Sequence, residues 1–152
     1  MSSSATQPPA ELMIRGDTWD ARRASTWLAS VALAQSVPAA HIVRLDHCLD
    51  EALANVIAHG GPTALASPVR LQFSVRRSQD ICTAELSVAD AGVPFDASAG
   101  PPGSTPRPAS LAEAKPEGLG LLMIRKFSDE LSYRRSEGHN HLTITVSWTE
   151  AA

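Results

Sequence analysis

Lysine is almost missing from this sequence: Lys115 and Lys126 stand against eleven arginines, and the thirteen cations are outnumbered by sixteen acidic residues. With a formal net charge of -3 and a pI near 5.9, no basic excess is present. Bulk electrostatic capture of nucleic acid or of an anionic membrane is therefore not the leading expectation. Cysteine is scarce too. Cys48 and Cys82 are far apart and form no CxxC pair, which removes a zinc ribbon or a disulfide framework and predicts two free thiols in a reducing cytoplasm. Nowhere do about 18 apolar residues run together, as a membrane span requires. The opening MSSSATQPPAEL has neither a basic region nor an apolar core of a signal peptide. The expectation is a soluble, intracellular protein.

What is present is a chain of 152 residues, 43% of them apolar and 19% charged, enough for one domain around one core. Residues 1–9, rich in Ser, Ala and Pro, read as a disordered tail, and 10–150 as the domain. ELMIRG is a short strand. Asp20 is placed to cap a helix that ends before Pro38, with Trp27, Leu28, Val31 and Leu33 on its buried side. A second helix runs from about 39 to 59, where Ile42, Leu45, Leu49, Leu53, Val56 and Ile57 recur at steps of three and four. Gly60, Gly61 and Pro62 stop it. VRLQFSVRRS and ICTAELSVAD alternate as strands around a Gln-Asp turn, and ELSYRRS with HLTITVSW make a second hairpin. Between the hairpins, 91–117 holds more than half of the eleven prolines, a composition suited to a lid or binding loop. A helix resumes at GLGLLMIRKFSDE. This order predicts an α+β two-layer sandwich: a mixed, mostly antiparallel sheet with helices on one face.

Three constellations carry chemistry. In LDHCLDEALANVIAHG, residues 45–60, the residues His47, Glu51, Asn55 and His59 form a row on one side of the helix, drifting about 40° per step. A solvated face explains such a row, and a metal site on His47, Glu51 and His59 is a rival, but HExxH is absent. Asn is a poor helix-interior residue, and Glu with Asn one turn apart suits an oxygen-coordinated Mg²⁺ beside a proton-accepting carboxylate. The second constellation is VADAGVPFD, where a strand ends in Asp90 and Gly92 follows. An ordinary Asx turn accounts for it; so does a carboxylate accepting a hydrogen bond from an exocyclic amine such as adenine N6. The third is EGLGLLMIRKF, a glycine-flanked helix start where backbone N–H groups can face a phosphate. No Rossmann or Walker pattern is present.

Their order and spacing together resemble the GHKL ATPase superfamily with its Bergerat-type ATP-binding fold, and within it the bacterial anti-sigma regulatory serine/threonine kinases. The likeness covers about residues 41–148: Glu51, Asn55 and His59 match the N box, Asp90, Gly92, Pro94, Phe95 and Asp96 the first glycine box, and Gly118, Leu119 and Gly120 the second. The resemblance implies ATP and Mg²⁺ as ligands. By it, Asn55 holds Mg²⁺ on the phosphates and Glu51 is the general base. Asp90 reads adenine N6, with Gly92 and Phe95 beside the base, and the Gly118-Leu119-Gly120 turn caps the phosphates. His59 lines the site or closes the helix. The segment 97–117 becomes the ATP lid, whose Arg107 and Lys115 are candidate phosphate contacts.

The family's usual partner is a small STAS-domain anti-anti-sigma protein, whose serine is phosphorylated in a partner-switching system with a sigma factor as a further target. Dimerisation also follows from the family alone. The short chain resembles the stand-alone regulator rather than a sensor histidine kinase, and direct nucleic-acid or membrane binding is not expected. A non-catalytic, partner-sequestering module of the same fold is the alternative. Two departures matter. Glu117 stands where many relatives carry glycine, and GHNHL replaces a Gly-Thr, which puts one phosphate or base contact in doubt.

Overall fold

In VRLQFSVRRS the side chains of Val69, Leu71, Phe73 and Val75 are buried while Arg70 and Arg76 are exposed, the period-two signature of a sheet with one covered face. The computed structural model describes residues 9–15, 18–94 and 124–150. In chain order these form β1 (Ala10–Ile14), α1 (Thr18–Ala34), α2 (Ala39–His59), α3 (Gly61–Ala66), β2 (Val69–Ser78), β3 (Ile81–Asp90), β4 (Glu130–Ser136) and β5 (His139–Thr149). The strands make one five-stranded sheet in the order β1-β2-β3-β5-β4. All its pairings are antiparallel, so the sheet is not mixed among the described residues.

Register carries the alternation across the sheet. Phe73 faces Leu86 and Leu86 faces Ile144, while Val75 faces Ala84 and Ala84 faces Val146. These side chains form the core with Leu45, Leu49 and Leu53 of α2 and Ala24, Leu28 and Ala32 of α1. The helices thus cover one face, giving the expected α+β two-layer sandwich. Burying a Leu or Phe fully contributes about 1.5–3 kcal/mol. The same inward row, followed to the end of β3 and the start of β5, changes from apolar to polar: Asp90 is paired with Asn140, and Asn140 with Arg135 of β4.

Several local expectations are corrected. Leu33 is 70% exposed and Ile57 42%; small alanines, Ala24 and Ala32, hold the buried side of α1 instead. Asp20 is not a cap, because α1 starts at Thr18 and the Asp20 carboxylate accepts the Arg15 N–H at 2.5 Å. The glycines after His59 end α2, but the chain re-enters a short helix, α3. The start of α2 has no side-chain cap; its first position follows Pro38.

Turns follow local chemistry. The β4–β5 turn places Glu137 at φ 54° and Gly138 at φ 77°, the two left-handed residues that a tight hairpin of matching twist requires. Helix α1 closes in a Schellman arrangement: Val37 N–H donates to Ala32 O at 3.0 Å and Ser36 N–H to Leu33 O at 3.0 Å, with Ser36 at φ 63°. Of the helix expected at GLGLLMIRKFSDE, the described part is a helical turn at 124–127. It is held by α2. Arg44 donates from Nε to Phe127 O at 2.9 Å and pairs with Asp129 at 3.0 Å, and the His47 ring stacks on Phe127 at 5.2 Å.

Candidate functional site

The row on α2 divides by burial. Asn55 is 8% exposed, Glu51 and His59 are half-buried, and His47 is exposed against Phe127. The Asn55 Nδ2 is fully enclosed and has no hydrogen-bond partner among the described residues. An unmade hydrogen bond at a buried polar group costs about 1–3 kcal/mol, so packing alone does not account for an amide in this position. Apolar neighbours Ala52 and Val56 on either side are core.

Asn55 opens onto a cavity of about 30 Å³ whose other walls include Gly60, Asp90, Tyr133 and Asn140, with Val88 and Leu142 as its apolar floor. The fold therefore brings Asn55 and Asp90, which are distant in sequence, to one hollow between α2 and the polar end of the sheet. That volume is the size of a single water, far below the roughly 300–1,000 Å³ of pockets for drug-sized ligands. Glu51 and His59 are not among its walls. Phe95, Asp96, Arg107, Lys115, Glu117, Gly118, Leu119 and Gly120 lie outside the described residues.

Asp90 is locally fixed. Its Oδ1 accepts the Gly92 N–H at 2.9 Å and the Asn140 Nδ2 at 3.1 Å. Gly92 is not a wall of the cavity. A Cβ there would stand 2.7 Å from both Cα and O of Gly60 and 2.8 Å from Asp90 Oδ1, distances too short for any side chain to occupy. Val93 N–H adds a bond to Gly60 O at 3.0 Å. Gly60, first read as a helix stop, is thus also the seat for the strand end that carries Asp90. A Cβ on Gly60 would itself meet Ala64 Cβ at 2.4 Å.

Asn140, Tyr133 and Gly60, which also line the cavity, were not singled out as site residues from the sequence. Parity was the available signal, since counting back by twos from Trp148, Val146, Ile144 and Leu142 puts Asn140 on the inward face. A metal centre on His47, Glu51 and His59 has no support: among the described residues no three His, Cys, Asp or Glu side chains stand close enough to share an ion. Both cysteines are free and buried. Burial pushes the Cys48 thiol up to about 12, so it is an inert core group. No described helix is long and apolar enough to cross a membrane.

Comparison with known proteins bears on the family and the fold. Residues 15–146 match the model of the histidine kinase-like ATPase domain. The chain is 34% identical over 119 residues to a Bordetella bronchiseptica protein named serine/threonine-protein kinase BtrW, covering 78% of this chain and 80% of that one. Among solved structures it is similar to the RsbU and RsbW domains of a Mycobacterium tuberculosis protein, with a TM-score of 0.64 at 16% identity over 95% of this chain. It spans only 34% of that longer chain. It is also similar to a chain in the SiaB-SiaC complex of Pseudomonas aeruginosa, with a TM-score of 0.52 at 14% identity, over 91% of this chain and 89% of the other. A sheet closed by antiparallel hairpins, an Asn-bearing helix over its polar end and a family match across most of the length place this chain in the histidine kinase-like ATPase domain family.

Proposed function

We propose that this protein is an ATP-dependent serine/threonine kinase of the anti-sigma regulatory type, acting on a serine of a STAS-domain partner. The observation that carries the reading is Asn55, a buried amide with an unpaired Nδ2, on the same cavity as Asp90. The kinase named among the relatives supports the activity. The partner-bearing complex among the structural neighbours supports a protein substrate. A sigma factor as a further target, a homodimer and a cytoplasmic location are part of the same proposal, the last consistent with two free thiols.

The donor set fits a magnesium nucleotide. Asn55 supplies an amide oxygen of the hard kind that Mg²⁺ prefers, and its Nδ2, without a partner among the described residues, is a donor suited to a phosphate oxygen. When bound, Mg²⁺ neutralises charge on the phosphates. Asp90 offers its second carboxylate oxygen to the adenine amine. Glu51, one turn before Asn55, accepts the proton of the partner's serine as its Oγ bonds to the γ-phosphorus and the bond to the β-phosphate oxygen breaks, releasing ADP. General-base assistance of this kind contributes about 10²–10⁴ in rate. The phosphoserine, carrying about -1.5 to -2 charges, then repels from the interface in which the neutral hydroxyl had packed.

The described walls enclose about 30 Å³, far less than a nucleotide occupies. That smallness, with Glu51 outside the cavity, favours a second reading: a module of the same fold that holds its partner without phosphorylating it. Titration calorimetry with ATP, with and without Mg²⁺, tests nucleotide binding first. Saturable, magnesium-dependent heat is expected, and its absence moves the balance to the sequestering module. Transfer of radiolabelled γ-phosphate to a cognate STAS protein then separates the two readings.

A further inference from the structure

Among the described residues Asn140 makes four amide hydrogen bonds. Its Nδ2 donates to Asp90 Oδ1 at 3.1 Å and to Val93 O at 2.8 Å, and its Oδ1 accepts from Tyr133 Oη at 2.6 Å and Arg135 Nη1 at 3.2 Å. The amide orientation is dictated by its neighbours. Turned over, its NH₂ would face a guanidinium and its oxygen a carboxylate and a carbonyl. Arg135 Nη1 also donates to Gly92 O at 2.7 Å, and Gly92 N–H returns to Asp90 Oδ1. Asp90, Gly92, Arg135 and Asn140 therefore form a closed ring of hydrogen bonds, with Val93 tying it to Gly60 at the end of α2.

The ring has one directional effect. Both of its bonds to Asp90 land on Oδ1, which leaves Oδ2 without a partner among the described residues. A carboxylate held by one oxygen on two donors cannot exchange its oxygens by rotation without breaking both bonds. We infer that Asn140, backed by Tyr133 and Arg135, is a positioning residue that presents Asp90 Oδ2 to the ligand as a pure acceptor and so makes the site select an amino base over a keto base. A 6-amino purine donates to that oxygen, whereas a 6-keto purine sets a carbonyl oxygen against it. This rests on the nucleotide reading above and deepens it. A serine or threonine hydroxyl in place of Asn140 has one donor and serves Asp90 or Val93, not both; an apolar residue serves neither and frees the carboxylate to turn.

The test is the ratio of affinities for Mg-ATP and Mg-ITP, which differ at the purine 6-position, measured by calorimetry on the full chain. Wild type is expected to prefer ATP by tenfold or more. In Asn140→Ala that ratio should collapse towards one, and in Tyr133→Phe, which removes one bond to the Asn140 oxygen, it should fall several-fold; circular dichroism reports folding of each. If Asn140→Ala does not fold, Tyr133→Phe decides. A wild-type preference that survives unchanged in the folded variants overturns the role of Asn140 and leaves the nucleotide reading standing. Equal loss of ATP and ITP in a folded variant also overturns it, because that is collapse of the site rather than loss of selection. Wild-type protein that binds both alike, or neither, overturns the reading of Asp90 and the inference with it.

Discussion

Gly92 rests directly on Gly60: a methyl group at residue 92 would sit 2.7 Å from the Gly60 Cα. Both neighbours it would meet, backbone at Gly60 and the bonded Asp90 carboxylate, are held in place, so neither yields cheaply. Gly92→Ala should lower stability by about 1–3 kcal/mol, the usual range for overpacking, and should weaken ATP binding because Asp90 moves with its loop. Urea denaturation and calorimetry on the same preparation check both effects; unchanged stability would show that the loop can lift from the helix end freely.

Asn55→Ala is expected to raise stability while destroying function. It removes an enclosed, unpaired amide donor and places the best helix former in mid-helix, a gain of about 1–2 kcal/mol. Magnesium-dependent ATP binding should be lost in the same protein. Glu51→Gln should retain binding and lose about 10²–10⁴ in transfer rate. A destabilised Asn55→Ala would mean that the amide is already satisfied in the protein without nucleotide.

Ser36 adopts φ 63° at the end of α1, a left-handed conformation that costs a side-chain-bearing residue about 1–2 kcal/mol. Ser36→Gly should relieve part of that cost and raise the melting temperature by about 2–4 °C in a chain of this size, without effect on nucleotide affinity. Scanning calorimetry is sufficient, and a lowered melting temperature would contradict the assignment.

The Arg44–Asp129 clamp gives acid sensitivity of known sign. Burial works to raise the Asp129 carboxyl, but the Ser147 N–H and Arg44 outweigh it and hold the group below its ordinary range. Its contribution is therefore present above the unfolded carboxyl value of about 4 and is lost as pH falls through the lower, folded value. Asp50 runs the other way, raised by burial and by Asp46. The difference in denaturation midpoint between wild type and Asp129→Asn, followed from neutral pH down to about pH 2, isolates the clamp: it should shrink on acidification. A constant difference would mean that the pair contributes nothing through charge.

Much of this was legible in the sequence. The ladder Leu45, Leu49, Leu53, Val56 fixed the buried face of α2 because large apolar side chains leave no choice of face. Helix α1 was less readable. With alanines nearly all round, Leu33 looked as suitable as Ala32, and only the shape of the opposing sheet decides which is covered. Asn55 and Asp90 could be chosen as a pair by family spacing, but their meeting on one cavity is a tertiary fact. Gly60 shows the limit best. A glycine after a helix is explained locally as a stop, so its second role, receiving Gly92, left no local trace. Asn140 was partly concealed by its flanking histidines, which made HNH look like turn rather than strand, although its inward parity was there to be counted.

The pairing of β3 with β5 joins Asp90 to Asn140 across the whole stretch from Ala91 to Asp129. Both described ends of that stretch are held in place: Gly92 is seated on Gly60 at one, and Arg44 holds Phe127 O and Asp129 at the other. Because Asp90 and Asn140 meet at the same end of the ladder, the chain is made to leave the sheet beside the Asn55 cavity, so a change at either anchor is felt at the site as well as in the fold.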